Sequence, residues 1–420
     1  MRALPLAAIL LGVATAPVAR AQSSLEGWLQ QPTMTGDWGG PRKALRDAGI
    51  DIQAHLVAEF ATNFKGGEDQ GASTPYQIDL GAAVDLEKLA GLSGTRALVT
   101  FTDRSGGNLA ADDIGSIVSV QEIYGGGQNI RLAHLSVGQS LLDGKVDLLA
   151  GRIDAGDDFA TSPLYCQFQN NNFCGNPVSV PLDSGFTTFP VSSWGGRIEV
   201  YPTPAFAFRT GVYEVNPTLN DSGNGFKLST SGATGVVIPV EAEWKPTFGG
   251  DALSGSYRIG GSYDTSDADK LDSTVVGPVR EASGRWGVWL LADQMVYREE
   301  PGSPRGLSVF AGVTANDPDT AIYQYFGMAG AVYTGTFPGR DSDTVALGFA
   351  YGRVNDNLRN AQRDADDAAQ TYEAAVEINY GLAATPWLTL RPNLQYVIRP
   401  GATGDIPNAW VFGFQTSVTF

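Results

Sequence analysis

The chain contains 420 residues and carries a formal net charge of −17. This acidic balance argues against binding to nucleic acid or to an anionic membrane surface, because both attract basic patches; general solubility is its other interpretation. Beyond the first residues, the chain has no apolar run of about 20 residues, the length that a transmembrane helix requires, so no such helix is predicted. No linker and no shift in composition divides the remainder, which favours one large closed sheet over several domains.

Residues 1–21 have the pattern of a secretory signal peptide. Arg2 gives a positive start, an apolar stretch runs from Leu4 to Val13, and Ala19-Arg20-Ala21 is a small-x-small cleavage site. The apolar stretch is too short to cross a bilayer, so a membrane anchor or a buried N-terminal helix is the weaker interpretation. The mature chain is therefore expected to start near Gln22.

Residues 22–50 are predicted to form a separate N-terminal segment with two short helices. Leu25, Trp28 and Leu29 suit one face of the first helix. The second helix is expected to begin at Pro41 and to end at Gly49, because proline favours the first helical position and glycine the position after the last. We expect this segment to be a periplasmic cap, or a plug at the mouth of the domain that follows.

From residue 51 to residue 420 the sequence repeats the pattern of membrane β-barrel strands. About ten residues alternate apolar and polar side chains and are followed by turn residues. The last segment is the clearest, since Trp410, Phe412 and Phe414 fall on one face and Gly413 and Gln415 on the other. Sixteen such segments predict an all-β fold, a sixteen-stranded antiparallel transmembrane β-barrel. The predicted strands are 51–61, 75–86, 95–103, 129–138, 145–153, 192–201, 205–214, 235–245, 254–264, 285–298, 306–314, 322–336, 343–354, 371–380, 387–398 and 410–420.

After the first strand, the connections alternate between long and short. Long ones include 104–128, 154–191, 215–234 and 265–284. Barrels of the outer membrane have short periplasmic turns and longer external loops, and sixteen strands leave an aqueous channel where eight would be filled by side chains. The sequence thus predicts a water-filled pore in an outer membrane, in contact with lipid and lipopolysaccharide.

The two cysteines, Cys166 and Cys174, lie eight residues apart in a loop-like stretch. In an exported protein such a pair is expected to form one local disulfide. Neither histidine, His55 or His134, is close to them in the sequence. We therefore predict no metal site and no cofactor.

Several stretches resemble the carbohydrate-selective porins of the OprB type. The segment 35–42, with the sequence TGDWGGPR, is similar to the opening motif of that family, and further similar stretches keep a consistent order along the mature chain. These are GRID at 151–154, CQFQN at 166–170 with FCG at 173–175, RTGVY at 209–213, and QYVIRPG at 395–401 with the final Phe420. The resemblance implies a sixteen-stranded barrel narrowed by inward loops, passive diffusion of glucose-like sugars, and recognition of Phe420 by the barrel-assembly machinery. It leaves open whether the barrel is a monomer or a trimer.

Within that framework, the segment 154–191 is the best candidate to fold into the lumen. Its amide side chains, including Gln169 and Asn171, offer donors and acceptors that match sugar hydroxyls. An outward loop with solvated amides is the alternative. Arg152 and Asp154 lie at the junction of strand and loop, where they are expected to line the pore or to hold the loop by a salt bridge.

Strand parity places further side chains in the lumen. With Phe206 and Phe208 facing lipid, Arg209 faces the interior, and the same rule applies to the other strands. Side chains of both charge signs would pair with a neutral polyol without a strong preference for either ion, although each position could also be an inert solvated wall. The candidate pore-lining residues on the strands are Arg197, Glu199, Arg209, Glu241, Glu377, Arg391, Asn393 and Gln395.

Three other functions remain open from the sequence. A general diffusion porin, or one for organic acids, would share the same barrel. An outer-membrane enzyme is suggested by His134 and Ser136, which resemble the His-x-Ser of outer-membrane phospholipase A. However, Leu135 and Val137 form the apolar face, so the pair is expected to point into the lumen and away from lipid, and no enzymatic activity is predicted. A purely structural barrel would be recognised by the absence of conductance.

Overall fold

The computed structural model describes residues 25–250 and 252–420, so the predicted signal peptide lies outside the described residues. The described chain is dominated by antiparallel strands, sixteen of them long. They are β1 (Ile50–Lys65), β2 (Tyr76–Asp85), β3 (Thr95–Ser105), β4 (Ile130–Leu141), β5 (Val146–Ile153), β6 (Ser193–Thr203), β7 (Phe206–Val215), β8 (Gly235–Trp244), β9 (Leu253–Asp269), β10 (Glu281–Arg298), β11 (Gly306–Asn316), β12 (Tyr323–Thr334), β13 (Thr344–Val354), β14 (Tyr372–Thr385), β15 (Leu388–Ile398) and β16 (Ala409–Thr419).

Each long strand pairs with the next one along the chain, and β1 pairs with β16 to close the sheet, with Phe60 opposite Phe414. Closure leaves no free strand edge, which a hydrocarbon environment requires. The sixteen-stranded antiparallel barrel is confirmed. Strands β1 and β9 end four and five residues later than predicted. Their ends pair in hairpins beyond the regular wall, where Ala61 pairs with Ser73 and Asp267 with Ser283. The two-residue strands Ala72–Ser73 and Thr247–Phe248 extend this pairing.

The two faces of the sheet differ as the alternation predicts. Val240 is 53% exposed, whereas its neighbour Glu241 is 4% exposed. The outer face is apolar and suits lipid, and the inner face carries the charged and amide side chains. The parity of the side chains is thus set by having lipid outside and water or protein inside.

The connections fall into two groups, one at each end of the barrel. One end has mostly short turns, such as 142–145, 204–205 and 386–387, and the helix Leu86–Ala90. The other end has the long connections 106–129, 154–192 and 216–234, with the helices Leu271–Val275 and Asp356–Asp364. Within the described ranges, no helix is long and apolar enough to cross a membrane. The single-turn elements are Ala110–Ile114, Tyr165–Gln167, Ser179–Leu182, Pro217–Asn220, Ser222–Asn224 and Pro400–Ala402.

The N-terminal segment packs on the short-turn rim. Residues 25–30 and Pro41–Asp47 are helical. The Met34 N–H donates to the Thr419 carbonyl oxygen at 2.8 Å, and the buried Arg42 guanidinium donates to the Phe420 oxygen at 2.8 Å. The rings of Trp28 and Trp387 lie 4.6 Å apart. These contacts fix the segment beside the end of β16; its role as a periplasmic cap or plug remains a prediction.

Candidate functional site

The connection 154–192 between β5 and β6, called here the inward loop, folds into the barrel. Phe168, Phe173 and Tyr165 of the loop pack against wall residues that include Phe310 and Phe326. A second cluster joins Phe159 and Phe186 of the loop to Trp289 and Tyr213. Burial of these aromatic side chains, about 1.5–3 kcal/mol each, fixes the loop against one side of the lumen.

Where the inward loop approaches the wall, the wall residue is a glycine, which has no side chain. A Cβ on Gly348 of β13 would lie 2.9 Å from ring atoms of both Phe168 and Phe173. Real Cβ atoms do not come so close, so these two rings require a residue without a side chain at this point.

Polar groups of the wall hold the tip of the inward loop. Glu377 of β14 accepts hydrogen bonds from the N–H groups of Gln169 and Asn170, at 3.0 and 2.8 Å. The side chain of Asn170 donates to Gln395 at 2.8 Å, and Asn393 donates to Gln169 at 2.6 Å. The loop backbone is therefore satisfied by side chains, as a buried segment without regular structure requires.

A charged network holds the first part of the loop. Arg197 pairs with Asp158 at 2.9 Å, and Arg209 donates to the Asp158 carbonyl oxygen at 2.9 Å. Glu241 accepts from the N–H of Ala160 at 2.9 Å. Glu199 joins this network through Arg209 at 2.9 Å.

Cys166 and Cys174 form the expected disulfide, with Cα atoms 4.1 Å apart. The bridge closes a short ring at the tip of the inward loop, and both cysteines face the remaining open space. The disulfide prediction is confirmed.

The space that the loop leaves free is a polar cavity of about 800 Å³. Its charged lining groups come from three different parts of the chain: the barrel wall, the inward loop and the long connection 106–129. They are Arg104, Glu122, Asp157, Arg285 and Arg391, with the amide side chains of Gln77, Asn171, Asn176 and Gln415 beside them.

Two arginines of this cavity are held in place by amide side chains. The Arg104 Nε donates to Gln77 at 2.6 Å, and Arg391 donates to Gln415 at 2.5 Å and to the Cys166 carbonyl oxygen at 3.3 Å. Glu122 faces the same space, and its own N–H donates to the Gln169 carbonyl oxygen at 2.9 Å. Burial raises the pKa of Glu122, and the guanidinium groups of Arg104 and Arg391 oppose that rise.

The predicted site residues separate into two groups. Arg391 and Asn171 line the cavity. The others belong to the contacts between the wall and the inward loop: Gln169 is part of the loop, Glu199 binds the loop-holding Arg209, and the remaining side chains bind the loop directly. This second group consists of Gln169, Arg197, Glu199, Arg209, Glu241, Glu377, Asn393 and Gln395.

Arg152 and Asp154 differ from the expectation. Arg152 lies opposite Leu135 and Trp194 in the sheet, and directly opposed residues share a face; those two are exposed on the outer face, so Arg152 points away from the lumen. Asp154 is buried within the loop root. In the part of the chain that the structure describes, no salt bridge joins Arg152 to Asp154; the strand ends at Ile153, so Asp154 no longer follows its alternation.

The outward Arg152 is nevertheless only 4% exposed, because another loop covers it. Where β5 ends and the inward loop leaves the wall, the connection 216–234 fills the gap. The N–H of Leu132 donates to the Gly225 carbonyl oxygen at 2.9 Å, and the Trp194 indole donates to the Leu228 carbonyl oxygen at 2.8 Å. The barrel wall thus remains closed despite the short β5.

Sequence reasoning missed Arg104, Glu122 and Arg285. Arg104 continues the inward parity of Thr100 and Thr102 in β3, so a strand predicted one residue longer would have included it. Glu122 lies in a connection without periodicity, and no sequence pattern indicated it. Arg285 lies in the first part of β10, which was predicted to begin at that residue.

Carboxyl groups at the base of the inward loop are strongly affected by burial. Burial raises the pKa of Asp154 well above its usual range, and the charge of Asp157 adds to this rise. Burial also raises the pKa of Asp183 to about 8. The Asp183 carboxyl group accepts hydrogen bonds from the N–H groups of Ile322 and Tyr323, at 2.6 and 3.2 Å, which joins the end of the loop to the β11–β12 connection.

The comparisons with known proteins agree with this arrangement. The family described as carbohydrate-selective porin, OprB family, matches residues 69–420. Porin B of Pseudomonas aeruginosa is 38% identical over 415 residues, covering 92% of this chain and 91% of that protein. The putative porin QuiX of Acinetobacter baylyi is 31% identical over 439 residues, covering 98% of this chain and 99% of that protein.

A solved structure, described as the high pH structure of Pseudomonas putida OprB, superposes with a TM-score of 0.88 at 36% identity. The match covers 93% of this chain and 99% of that one. The family consists of channels and not of enzymes, so the His134–Ser136 pair is not a lipase dyad. The chain belongs to the carbohydrate-selective porins of the OprB family, and it is a sugar-selective β-barrel channel of the bacterial outer membrane.

Proposed function

We propose that the channel passes small neutral sugars of the size of glucose, and that the polar cavity between the inward loop and the wall is its selective constriction. The observation that carries this proposal is that Arg104, Arg391 and Glu122 line one cavity of about 800 Å³. Selectivity in such channels depends on width, lining hydrogen-bond groups and the local field.

A monosaccharide presents hydroxyl groups that both donate and accept. The two guanidinium groups supply donors in a fixed planar arrangement. Glu122 and the amide oxygens of Asn171 and Asn176, in the lining of the same cavity, supply acceptors. Because charges of both signs surround the solute, a neutral polyol can be paired on all sides without a net charge of its own.

An organic-acid or general diffusion porin is the alternative. Three arginines line the cavity, against the carboxylates of Glu122 and Asp157, so a local excess of positive charge would favour anions. The two proposals differ in one measurable property, which is the relative rate for a neutral sugar and for an anion of the same size.

The role of the lining arginines can be tested by glucose-dependent block of the ion current through single channels in a planar bilayer. Arg104→Ala removes a cavity donor that, within the described chain, forms no hydrogen bond or salt bridge with the inward loop. We expect it to raise the half-blocking glucose concentration by about 10-fold. That factor corresponds to about 1.4 kcal/mol, which is typical of one charge-assisted hydrogen bond. Arg363→Ala, in an exposed helix of the long-loop end, is the matched control and is expected to behave as wild type. Equal block in Arg104→Ala and wild type would refute the constriction proposed here.

Contacts with lipopolysaccharide and with the barrel-assembly machinery remain part of this proposal. The apolar outer face supports the first, and the apolar alternation up to Phe420 supports the second. The division into signal peptide (1–21), N-terminal segment (22–50) and barrel (51–420) is likewise proposed on the strength of the sequence and of the contacts at the rim.

A further inference from the structure

Three side chains with metal-ligand chemistry meet where the inward loop leaves the barrel wall. They are His134 on β4 and Asp154 and Asp157 at the start of the loop. One ring nitrogen and one oxygen of each carboxylate all lie within 4.8 Å of one another. Asp157 lines the cavity proposed above as the constriction, and His134 and Asp154 do not.

Asp154 is the observation that points to a ligand. It is 1% exposed, and its Oδ1 accepts from the N–H of Asp157 at 3.0 Å. Within residues 25–250 and 252–420, its Oδ2 has no hydrogen-bond partner. A buried carboxylate oxygen without a partner is costly, and buried charges are normally paired or coordinate a metal.

No arginine or lysine neutralises this pair of carboxylates. Across the described ranges, neither Asp154 nor Asp157 forms a salt bridge, and the nearby Arg197 is engaged by Asp158 at 2.9 Å and Asp147 at 2.8 Å. In the deprotonated form that binds a metal, two carboxylates and one neutral imidazole carry a charge of about −2, which one divalent cation would balance.

We propose that His134, Asp154 and Asp157 bind one divalent transition-metal ion of the Zn²⁺ class. An imidazole combined with carboxylates suits Zn²⁺ and its first-row neighbours, whereas Ca²⁺ and Mg²⁺ prefer sites made of oxygen alone. Tetrahedral ligands at bond lengths of about 2.1 Å lie about 3.4 Å apart, whereas the three groups lie within 4.8 Å of one another, so they need to draw in by at most about 1.4 Å. The exposed Asp157 can make that movement, since it lies in the loop and faces the cavity.

The local geometry orients the histidine for this role. Its Nε2 lies 2.8 Å from the Ser136 hydroxyl oxygen, which leaves the other ring nitrogen available for the ion. Metal-bound histidines commonly have such a partner on the second nitrogen, which fixes the ring orientation. The fourth position would be open to a water molecule from the cavity.

A bound ion would join the barrel wall to the root of the inward loop. His134 belongs to the wall, and Asp154 and Asp157 flank Gly156, whose N–H donates to the Thr187 carbonyl oxygen at 3.0 Å to close the loop base. The ion would therefore fix the position from which the loop projects into the lumen. No metal site was predicted, because no histidine lies near the cysteines and the chain has only His55 and His134; the β4–β5 pairing, with Leu135 opposite Arg152, brings His134 to Asp154.

The test is isothermal titration of the chelator-treated, detergent-purified barrel with Zn²⁺ and, separately, with Ca²⁺. His134→Gln and Asp157→Asn are the test variants, and the second is exposed and so does not threaten folding. His55→Gln is the matched control, because His55 is the other histidine and also lies 2.9 Å from a serine hydroxyl, that of Ser417. Folding of each variant is checked by its heat-modifiable migration and by its conductance.

We expect one Zn²⁺ per chain in wild type and in His55→Gln. His134→Gln and Asp157→Asn should each weaken Zn²⁺ binding by at least about 100-fold, since loss of even an outer partner costs about 10- to 100-fold. Zn²⁺ affinity equal in wild type and His134→Gln, no Zn²⁺ uptake by wild type, or Ca²⁺ binding as tight as Zn²⁺ binding would each overturn the proposal.

Discussion

The Oε2 atom of Glu377, on the barrel wall, accepts a hydrogen bond from the backbone N–H of Asn170, at the tip of the inward loop, over 2.8 Å. The second carboxylate oxygen receives the N–H of Gln169 at 3.0 Å. The two partners are 207 residues apart in the chain. One wall carboxylate thus sets the position of the loop that narrows the lumen.

Glu377→Ala is expected to release the loop tip. The variant leaves two buried N–H groups without an acceptor, and each costs about 1–3 kcal/mol. The single-channel current should become larger and noisier, and the half-blocking glucose concentration should rise. Glu281→Ala, at an exposed end of β10, is the control. A Glu377→Ala channel with the conductance and noise of wild type would show that other contacts suffice to hold the loop.

Gly348→Leu is expected to displace the inward loop by adding bulk between the loop and the wall, whereas Glu377→Ala removes an anchor. A side chain at this position meets the rings of Phe168 and Phe173, and overpacking typically costs about 1–3 kcal/mol. The loop should shift towards the cavity or leave the wall, so the rate of glucose entry into liposomes should change clearly. In the control Gly327→Leu the nearest atom is 3.9 Å away, and the rate should stay as in wild type. If the two variants behave alike, the close approach at Gly348 does not determine the pore.

The anchor at Asp183 should respond to pH. Its pKa is raised by burial to about 8 from an ordinary value of 3.8, so the folded state favours the protonated form. The protonated Asp183 side chain therefore contributes its full stabilisation of the folded state below about pH 4, and this stabilisation is lost as the pH rises through about 8. Current noise from the loop should be greater at about pH 9 than at about pH 5.

Asp183→Asn separates this effect from other titrations. The amide stays neutral at every pH, so the rise in noise between about pH 5 and about pH 9 should be absent or much smaller in the variant. An equal rise in wild type and in Asp183→Asn would assign the pH dependence to another group.

The disulfide is expected to limit motion of the loop tip. Loss of the Cys166–Cys174 link should lower the free energy of unfolding by about 2–3 kcal/mol, the loop-closure value for a ring of this size. Dithiothreitol should increase current noise in wild type and leave the double variant Cys166→Ser/Cys174→Ser unchanged. A reductant effect of the same size in both proteins would show that it acts elsewhere.

The wall of the barrel could be predicted from the sequence because lipid imposes a simple rule on it. Every second residue must be apolar, so Val240 and Glu241 are assigned to opposite faces without knowledge of the rest of the structure. The same rule placed Arg391 and Glu377 inside. Arg152 was assigned to the pore from its position at the junction of strand and loop, not from this rule, and strand pairing places it on the outer face instead.

The constriction itself could not be predicted in the same way. Parity shows which side chains point inwards, but not which of them the inward loop then covers. Glu377 and Gln395 are buried beneath that loop, whereas Arg391 keeps access to the cavity. This difference arises from packing of Phe168 and Phe173 on distant strands, and no local pattern in the sequence encodes it.

The most direct test of a sugar-selective channel is swelling of liposomes that contain the purified protein, with glucose compared with gluconate and with a disaccharide. Glucose and gluconate are similar in size and differ in charge, so their ratio reports selectivity and not width. We predict that glucose enters faster than gluconate and much faster than the disaccharide. Equal rates for glucose and gluconate, or faster entry of gluconate, would contradict the assignment of the cavity as a constriction for neutral sugars.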